Sequence, residues 1–366
     1  MNKTPFKALV LAAAAALSLN TPVAGASAQV QAPIAAPANT AGPLAKIMPG
    51  PREGFNEEHE WRQLIADLNN PRVTEQWIYS PAMDRTIPFV VIHADKAAGP
   101  QPTIYLLNGG GGGEDRMNWI TRTDAIDFYL DKNVNVVVPM EGKYSYYTDW
   151  VEPNEGVRGV NKWETFLTKE LPAPIEKWLG ANGQRAVAGM SMTATTPILY
   201  AEHNPGFYNA IGSFSGCAET TNTWLGERAI NATLNRIAGG KTNVNSMWGP
   251  AGSESWNYND SFAQVKNLEG QAMYVSSGSG LLGQWDVDSS PFTGEAVPTW
   301  VSIVSGGVIE GAVNMCTHNF HNKLKQEGVS GDQVFNFRPN GTHSWGYWQD
   351  DLRGSWEVFN RSFGRA

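Results

Sequence analysis

The sequence predicts a single α/β domain built on a mostly parallel sheet, and three observations predict it. Thr103 to Leu107 and Val134 to Pro139 are short, nearly continuous apolar runs, as strands covered on both faces require. Strand-like segments alternate with helix-like ones along the chain, the pattern of a parallel α/β sheet. Between Arg185 to Ala188, read as a strand, and Thr195 to Glu202, read as a helix, lies a sharp Gly-Met-Ser turn. Composition agrees. The 366 residues are 42% hydrophobic and 17% charged, enough apolar material for a large core and too little charge for a disordered chain. The net charge of −8, with no basic block, argues against nucleic-acid binding. Most of the 14 Trp are expected in the core.

The elements follow in order. Lys3 and Lys7 precede an apolar run, Ala8 to Leu19, too short to span a bilayer, and Ala26-Ser27-Ala28 offers small residues for cleavage. Residues 1–28 are therefore expected to be a secretory signal peptide and 29–50 an Ala/Pro-rich tether, leaving 51–366 as one catalytic domain. Val73 to Tyr79 and Ile87 to His93 are β-rich runs around Pro81 and Asp84, a hairpin pattern. Trp163 to Leu179 has helical spacing interrupted by Pro172 and Pro174. Phe207 to Phe214, Gln271 to Ser276 and Gln333 to Phe337 read as strands, Ile309 to Gln326 and Trp348 to Phe363 as helices. The stretch Thr220 to Ser261, rich in Asn, Gly and Trp, reads as an insertion over the sheet. No later segment is long and apolar enough for a membrane span. Export permits a disulfide between Cys217 and Cys316; two buried thiols are the alternative.

Three segments carry chemistry. Gly189-Met190-Ser191-Met192-Thr193 sits where a strand turns into a helix, the setting of a nucleophile elbow that pushes a serine hydroxyl outward. Thr193 stands where a second glycine is usual. Met192 would offer its N–H to an oxyanion. Asn108 and the five glycines Gly109 to Gly113 follow a strand directly, where a second oxyanion donor belongs. No Gly-Lys-Ser/Thr follows, which disfavours a phosphate loop. Gly341-Thr342-His343-Ser344-Trp345 follows the last strand, and the chain order Ser, acid, His requires a late histidine. His59 and His93 precede the nucleophile, and His203 is too close to it in sequence. His318 and His321 form an i,i+3 pair on a helix without further ligands. His343 is the base. The acid stays open among Asp286, Asp288 and Glu310, with local position favouring the aspartates. Gly278-Ser279-Gly280-Leu281-Leu282-Gly283 matches a dinucleotide fingerprint, but no helical pattern follows it.

Tyr144 to Trp150, Asn161 to Pro172, Gly189-Met190-Ser191-Met192, Ile309-Glu310-Gly311 and Thr342-His343-Ser344-Trp345 together resemble the mycolyltransferases of the antigen 85 family, over about Val73 to Leu352. The resemblance implies an α/β-hydrolase fold with Ser191, Glu310 and His343 as the triad, so that it moves the acid to Glu310. It implies oxyanion donors at Met192 and Gly110, and sugar contacts at Asn108 and Trp345. The implied activity is transfer of mycolyl groups, of corynomycolyl type, between trehalose esters and onto arabinogalactan, without metal or organic cofactor. It implies a secreted protein, peripheral to the mycolate envelope and expected as a monomer. The family pattern Asp-Gly-Leu-Arg reads Asn108-Gly109-Gly110-Gly111 here, so an acid and an arginine expected at the sugar are missing. A secreted carboxylesterase with the same triad, or a matrix-binding relative without catalysis, are the alternatives.

Overall fold

The computed structural model describes residues 42–53, 58–220, 242–292 and 302–365, with isolated positions 227, 230, 231, 234 and 300. The expected signal peptide and residues 29–41 of the expected tether lie outside the described residues, as does part of the Thr220–Ser261 stretch.

Among the described residues nine strands form one sheet: β1 (Lys46–Met48), β2 (Val73–Ser80), β3 (Arg85–Ile92), β4 (Thr103–Leu107), β5 (Asn135–Pro139), β6 (Arg185–Met190), β7 (Ala210–Phe214), β8 (Ala272–Ser277) and β9 (Gln333–Phe337). Their order is β1-β2-β3-β5-β4-β6-β7-β8-β9. The pairs β1/β2, β2/β3 and β3/β5 are antiparallel, and every pairing from β5 across to β9 is parallel. This is the α/β-hydrolase fold, with the hairpin β2–β3 where the β-rich runs around Asp84 place it. One expectation is corrected: the 29–50 stretch is not tether throughout, because Lys46–Met48 pairs with Trp77–Tyr79 and Ala45 N–H donates to Glu170 O at 3.1 Å.

Strand alternation divides the core into two layers. Tyr105, Leu107, Val137, Val187, Ile211, Met273 and Val275 face one side, against α4 (Trp163–Thr165), α5 (Pro172–Leu179), α6 (Thr195–His203) and α10 (Val308–Glu327). Ile104, Leu106, Val136, Val138, Ala186 and Ala188 face the other. There they meet α1 (Glu60–Leu68), α2 (Trp119–Arg122), α3 (Ala125–Lys132) and α11 (Trp345–Ser362). Pro172 does not break its helix. It is the first residue of α5, after a wider π turn over Phe166–Glu170, where its missing N–H costs nothing. Among the described residues between β7 and β8 are the short α-helices α7 (Val244–Trp248), α8 (Glu254–Tyr258) and α9 (Ser261–Gln264). Met247, Trp248 and Trp256 are buried in the first layer, so this part of the expected insertion belongs to the core.

The motif from Asn161 to Pro172 is structural. Trp163 packs edge-on against Tyr147, Lys162 Nζ donates to Trp150 O at 2.7 Å, and Thr165 donates to Asp149. Burial and the neighbouring Glu164 charge push the Asp149 carboxyl up to about 6. Glu164 accepts from Tyr258 and pairs at 2.8 Å with His203 Nδ1, whose Nε2 lies 2.6 Å from Tyr258 O. His203 is thus committed to the core.

Candidate active site

The elbow at Ser191 follows from its neighbours. Ser191 has φ +56°, left-handed backbone that an L-residue adopts only when the surroundings impose it. The imposing contacts come from Thr193: its Oγ1 accepts from Met190 N–H at 3.1 Å and donates to Met190 O at 3.1 Å. A Cβ on Gly189 would fall well inside contact distance of the Thr193 carbonyl and hydroxyl, so glycine is needed there. Thr193 does by side-chain hydrogen bonds what a small residue does by lack of bulk, and α6 follows two residues later.

The strand order places the partners. β6 lies between β4 and β7, so loops leaving the C-terminal ends of β4, β7, β8 and β9 converge beside Ser191. His343 lies between β9 and α11, and its Nε2 is 2.7 Å from Ser191 Oγ. Its Nδ1 is 2.7 Å from Glu310 Oε2. Glu310 lies near the start of α10, one turn after the π segment Ser302–Gly307 that runs into it, and is fully buried. Its Oε1 accepts from Ser215 Oγ at 2.8 Å and from Gly278 N–H at 2.6 Å. Both carboxylate oxygens are therefore engaged, one with the ring and one with fixed donors. With Oε2 accepting, Nδ1 carries the proton and Nε2 is free to take one from the serine.

The structure thus brings Ser191, His343 and Glu310 together. Asp286 and Asp288 do not join them. Asp288 is exposed. Asp286 is buried and bonded to Gly283 N–H, Thr342 Oγ1 and Tyr347 OH, with no bond to the His343 ring. The fingerprint-like glycines 278–283 form a clasp over α10: Gly278 donates to Glu310, and a Cβ on it would collide with the Gly341 carbonyl. Turns follow that loop, not a helix. His318 stacks on Phe337 of β9, and His321 packs tilted against Phe335.

The five-glycine loop leaves β4 beside the elbow, since Leu107 pairs with Gly189. Gly112 N–H to Gly109 O and Glu114 N–H to Gly111 O close two turns in it, and Gly110 O accepts from Tyr144 N–H. Tyr144, Tyr146 and Tyr147 all have positive φ. Thr196 Oγ1 and Tyr200 OH, from α6, donate to the carbonyls of Tyr146 and Tyr147 and hold that loop. A cavity of ≈110 Å³ opens at Ser191, lined by Tyr146, Met192, Thr195, Ile230, Ile309, Val313 and His343 among others.

Two expected sugar contacts are corrected. Asn108 is wholly buried: its amide donates to Pro139 O at 2.8 Å and accepts from Trp119 N–H at 3.0 Å, tying the end of β4 to β5 and α2. Trp345 is buried edge-on against Trp119 and Trp348, absent from the cavity wall. The residue on the base is Trp348, edge-on to the His343 ring at 4.9 Å. Sequence reasoning missed it, and also Ser215, whose φ of +53° turns the chain toward Glu310. The only sequence signal for Trp348 is its i,i+3 spacing from Trp345. Cys217 and Cys316 are bridged, with Cα atoms 5.0 Å apart, which ties the turn after β7 to α10.

A serine at a strand–helix elbow, a late histidine and a buried carboxylate on one edge of a parallel sheet define the α/β-hydrolase class. Comparison with known proteins narrows it. A family model described as a putative esterase matches residues 80–356. The diacylglycerol acyltransferase/mycolyltransferase Ag85C of Mycobacterium leprae is 31% identical over 69% of this chain and 72% of its own length. Ag85B of Mycolicibacterium smegmatis is 31% identical over 75% of this chain and 80% of its own. The crystal structure of Mycobacterium tuberculosis MPT51 (FbpC1) superposes with a TM-score of 0.61 at 25% identity, over 80% of this chain and 99% of that one. The chain belongs to the antigen 85 mycolyltransferase family.

Proposed function

We propose that this protein transfers mycolyl groups of corynomycolyl type between trehalose esters, and onto cell-wall arabinogalactan, through an acyl-enzyme on Ser191. The observation that carries the reading is the pair of 2.7 Å contacts joining Ser191, His343 and Glu310 in a chain of this family. His343 Nε2 takes the proton as Ser191 Oγ attacks the ester carbonyl of an acyl trehalose. Glu310 keeps the ring in the Nδ1–H tautomer and stabilises its cation. The N–H groups of Met192 and Gly110 receive the oxyanion, each such donor being worth about 10²–10³ in rate. The carbonyl re-forms, the trehalose oxygen leaves with the proton from His343, and a second sugar hydroxyl attacks the acyl-enzyme by the reverse path. One ester replaces another, so the acceptor must outcompete water by position; a well-oriented hydroxyl can be worth an effective molarity of ~10⁵ M.

Ile309, Val313, Ile230 and Met192 give the cavity an apolar wall suited to the alkyl part of the donor. Membership of this family and the signal-peptide pattern of residues 1–28 support work in the cell envelope, and none of the described helices is long and apolar enough to cross a membrane. The test is product analysis with acyl trehalose, with and without added acceptor, for wild type and Ser191→Ala. Transfer products that vanish in the variant are expected. Free acid as the sole product would make the protein a carboxylesterase, and wild-type turnover by Ser191→Ala would remove Ser191 from the mechanism.

A further inference from the structure

We propose that Asp286 is a positioning residue for the catalytic base: it locks the loop that carries His343 and sets how often the ring faces Ser191. The inference rests on the acyl-enzyme reading above and deepens it.

His343 sits in a short connection between β9 and α11, flanked by Gly341, and its ring is held at its tip by Glu310. A bond at the tip fixes the ring only if the backbone beneath it is also fixed. Backbone bonds hold the start of this connection, Gly341 N–H to Leu281 O at 2.6 Å and Gly280 N–H to Gly341 O at 2.9 Å, but from Thr342 on they are fewer: His343 N–H reaches Gly306 O at 3.2 Å, and Ser344 N–H folds back on Thr342 O. The side-chain anchor is Asp286. One carboxylate oxygen accepts from the hydroxyl of Thr342, the residue before His343, at 2.5 Å. The other accepts from Tyr347 OH, on the first turn of α11, at 2.6 Å, and from Gly283 N–H at 2.9 Å. The carboxylate thus grips the base loop on both sides of the histidine. It is 1% exposed, and Thr342 is wholly buried, so water cannot replace these bonds. Arg338 lies over the Tyr347 ring at 5.4 Å, and burial together with the Asp286 hydrogen bond pushes the Tyr347 phenol upward, which keeps it a donor. The same loop, 278–286, gives Gly278 N–H to Glu310. One segment therefore holds the acid at one end and the base at the other.

A positioning role and an acid role separate on substitution. Asn at 286 can keep every contact: its oxygen accepts from Tyr347 and Gly283 while its NH₂ donates to the Thr342 oxygen. Charge is lost and geometry kept. Ala keeps neither, and a displacement of about 1 Å at a reacting group can cost about 10² in rate.

The experiment is steady-state turnover of a p-nitrophenyl ester by the full-length chain with Asp286→Ala, Asp286→Asn, Thr342→Val, Glu310→Gln and Ser191→Ala, with circular dichroism on each. We expect Asp286→Ala to lower kcat about 10- to 100-fold with KM within threefold. Asp286→Asn should stay within fivefold of wild type. Thr342→Val, which removes one hydroxyl at constant shape, should lower kcat about tenfold and keeps the test open should the alanine variant not fold. Turnover within threefold of wild type in folded Asp286→Ala or Thr342→Val would overturn the proposal, as would a change confined to KM. Asp286→Asn as inactive as Glu310→Gln would overturn it differently, by making Asp286 an acid. Activity in Ser191→Ala would instead sink the acyl-enzyme reading, which is a separate arm.

Discussion

Replacing Glu310 by Gln tests the site through the position of a single proton. Glu310 Oε1 accepts from Ser215 Oγ and Gly278 N–H, and Oε2 faces His343 Nδ1 at 2.7 Å. The amide oxygen of Gln can keep the first two bonds only if its NH₂ turns to His343. That group donates, so Nδ1 must then accept, and the ring's proton moves to Nε2. The nitrogen 2.7 Å from Ser191 Oγ would thereby carry a hydrogen and could no longer remove one. A wrong-tautomer substitution of this kind costs about 10⁴ in kcat, roughly 5.5 kcal/mol of transition-state stabilisation. Stability should change far less, because two of three bonds survive and the third is remade in reverse; about 1 kcal/mol, or ~2 °C in Tm, is the scale. The assay is initial-rate turnover of a chromogenic ester and of acyl trehalose, alongside a thermal melt. A folded Glu310→Gln protein retaining kcat within tenfold of wild type would refute the tautomer argument and, with it, the acid assignment.

The Cys217–Cys316 bridge closes a loop of 99 residues, so the Cys217→Ser/Cys316→Ser double variant should lose about 4–5 kcal/mol by chain entropy, some 7 °C in Tm. Differential scanning calorimetry reads it, and an unchanged Tm would show that the bridge does not constrain the unfolded chain as reasoned. Burial, then the charges of Lys96 and Arg72, hold His93 down at about 4. Between that value and its ordinary 6.5 the unfolded chain binds a proton that the folded one refuses. His93 therefore costs stability as pH falls through that window, and His93→Gln should flatten the loss of Tm between pH 7 and pH 4.5. Asp149, raised to about 6, acts oppositely: the folded state binds the extra proton between 3.8 and 6, so Asp149→Asn should steepen the acid loss in matched melts.

The sheet is legible in the sequence wherever burial decides it. β4 and β5 lie between other strands and under helices on both faces, so their residues are apolar in succession, and the boundaries read from that pattern shift by no more than a residue. The hairpin β2–β3 is equally legible, because its turn needs a left-handed residue and Asp84 supplies it at φ +45°. β1 is not. Three residues carry no periodicity, and what makes Lys46–Met48 a strand is the free edge of β2, a non-local fact. The helices α7 to α9 fail to read for a related reason: each is five residues or fewer, held by Asn243, Ser253 and Asp260 caps and by burial of Trp248 and Trp256, and not by amphipathic length.

The site divides along the same line. Ser191 and His343 are visible because local chain chemistry demands them, the first by a turn only certain neighbours permit and the second by its place after the final strand. The carboxylate has no such local signature. Glu310 and Asp286 are both buried acids near the ends of β8-side segments, and either could have faced the imidazole. What separates them is which donors lie opposite in space: Ser215 and Gly278 prepare one oxygen of Glu310 and leave the other for the ring, whereas Thr342, Tyr347 and Gly283 occupy both oxygens of Asp286. What decides is placement: the donors to Asp286 are Thr342, Tyr347 and Gly283, and the His343 ring is bonded to Glu310 instead. The burial of Trp345 follows the same reasoning. Its side is decided by the register of α11 against Trp119, so a tryptophan two residues after the base sits in the core while Trp348, one turn on, meets the ring.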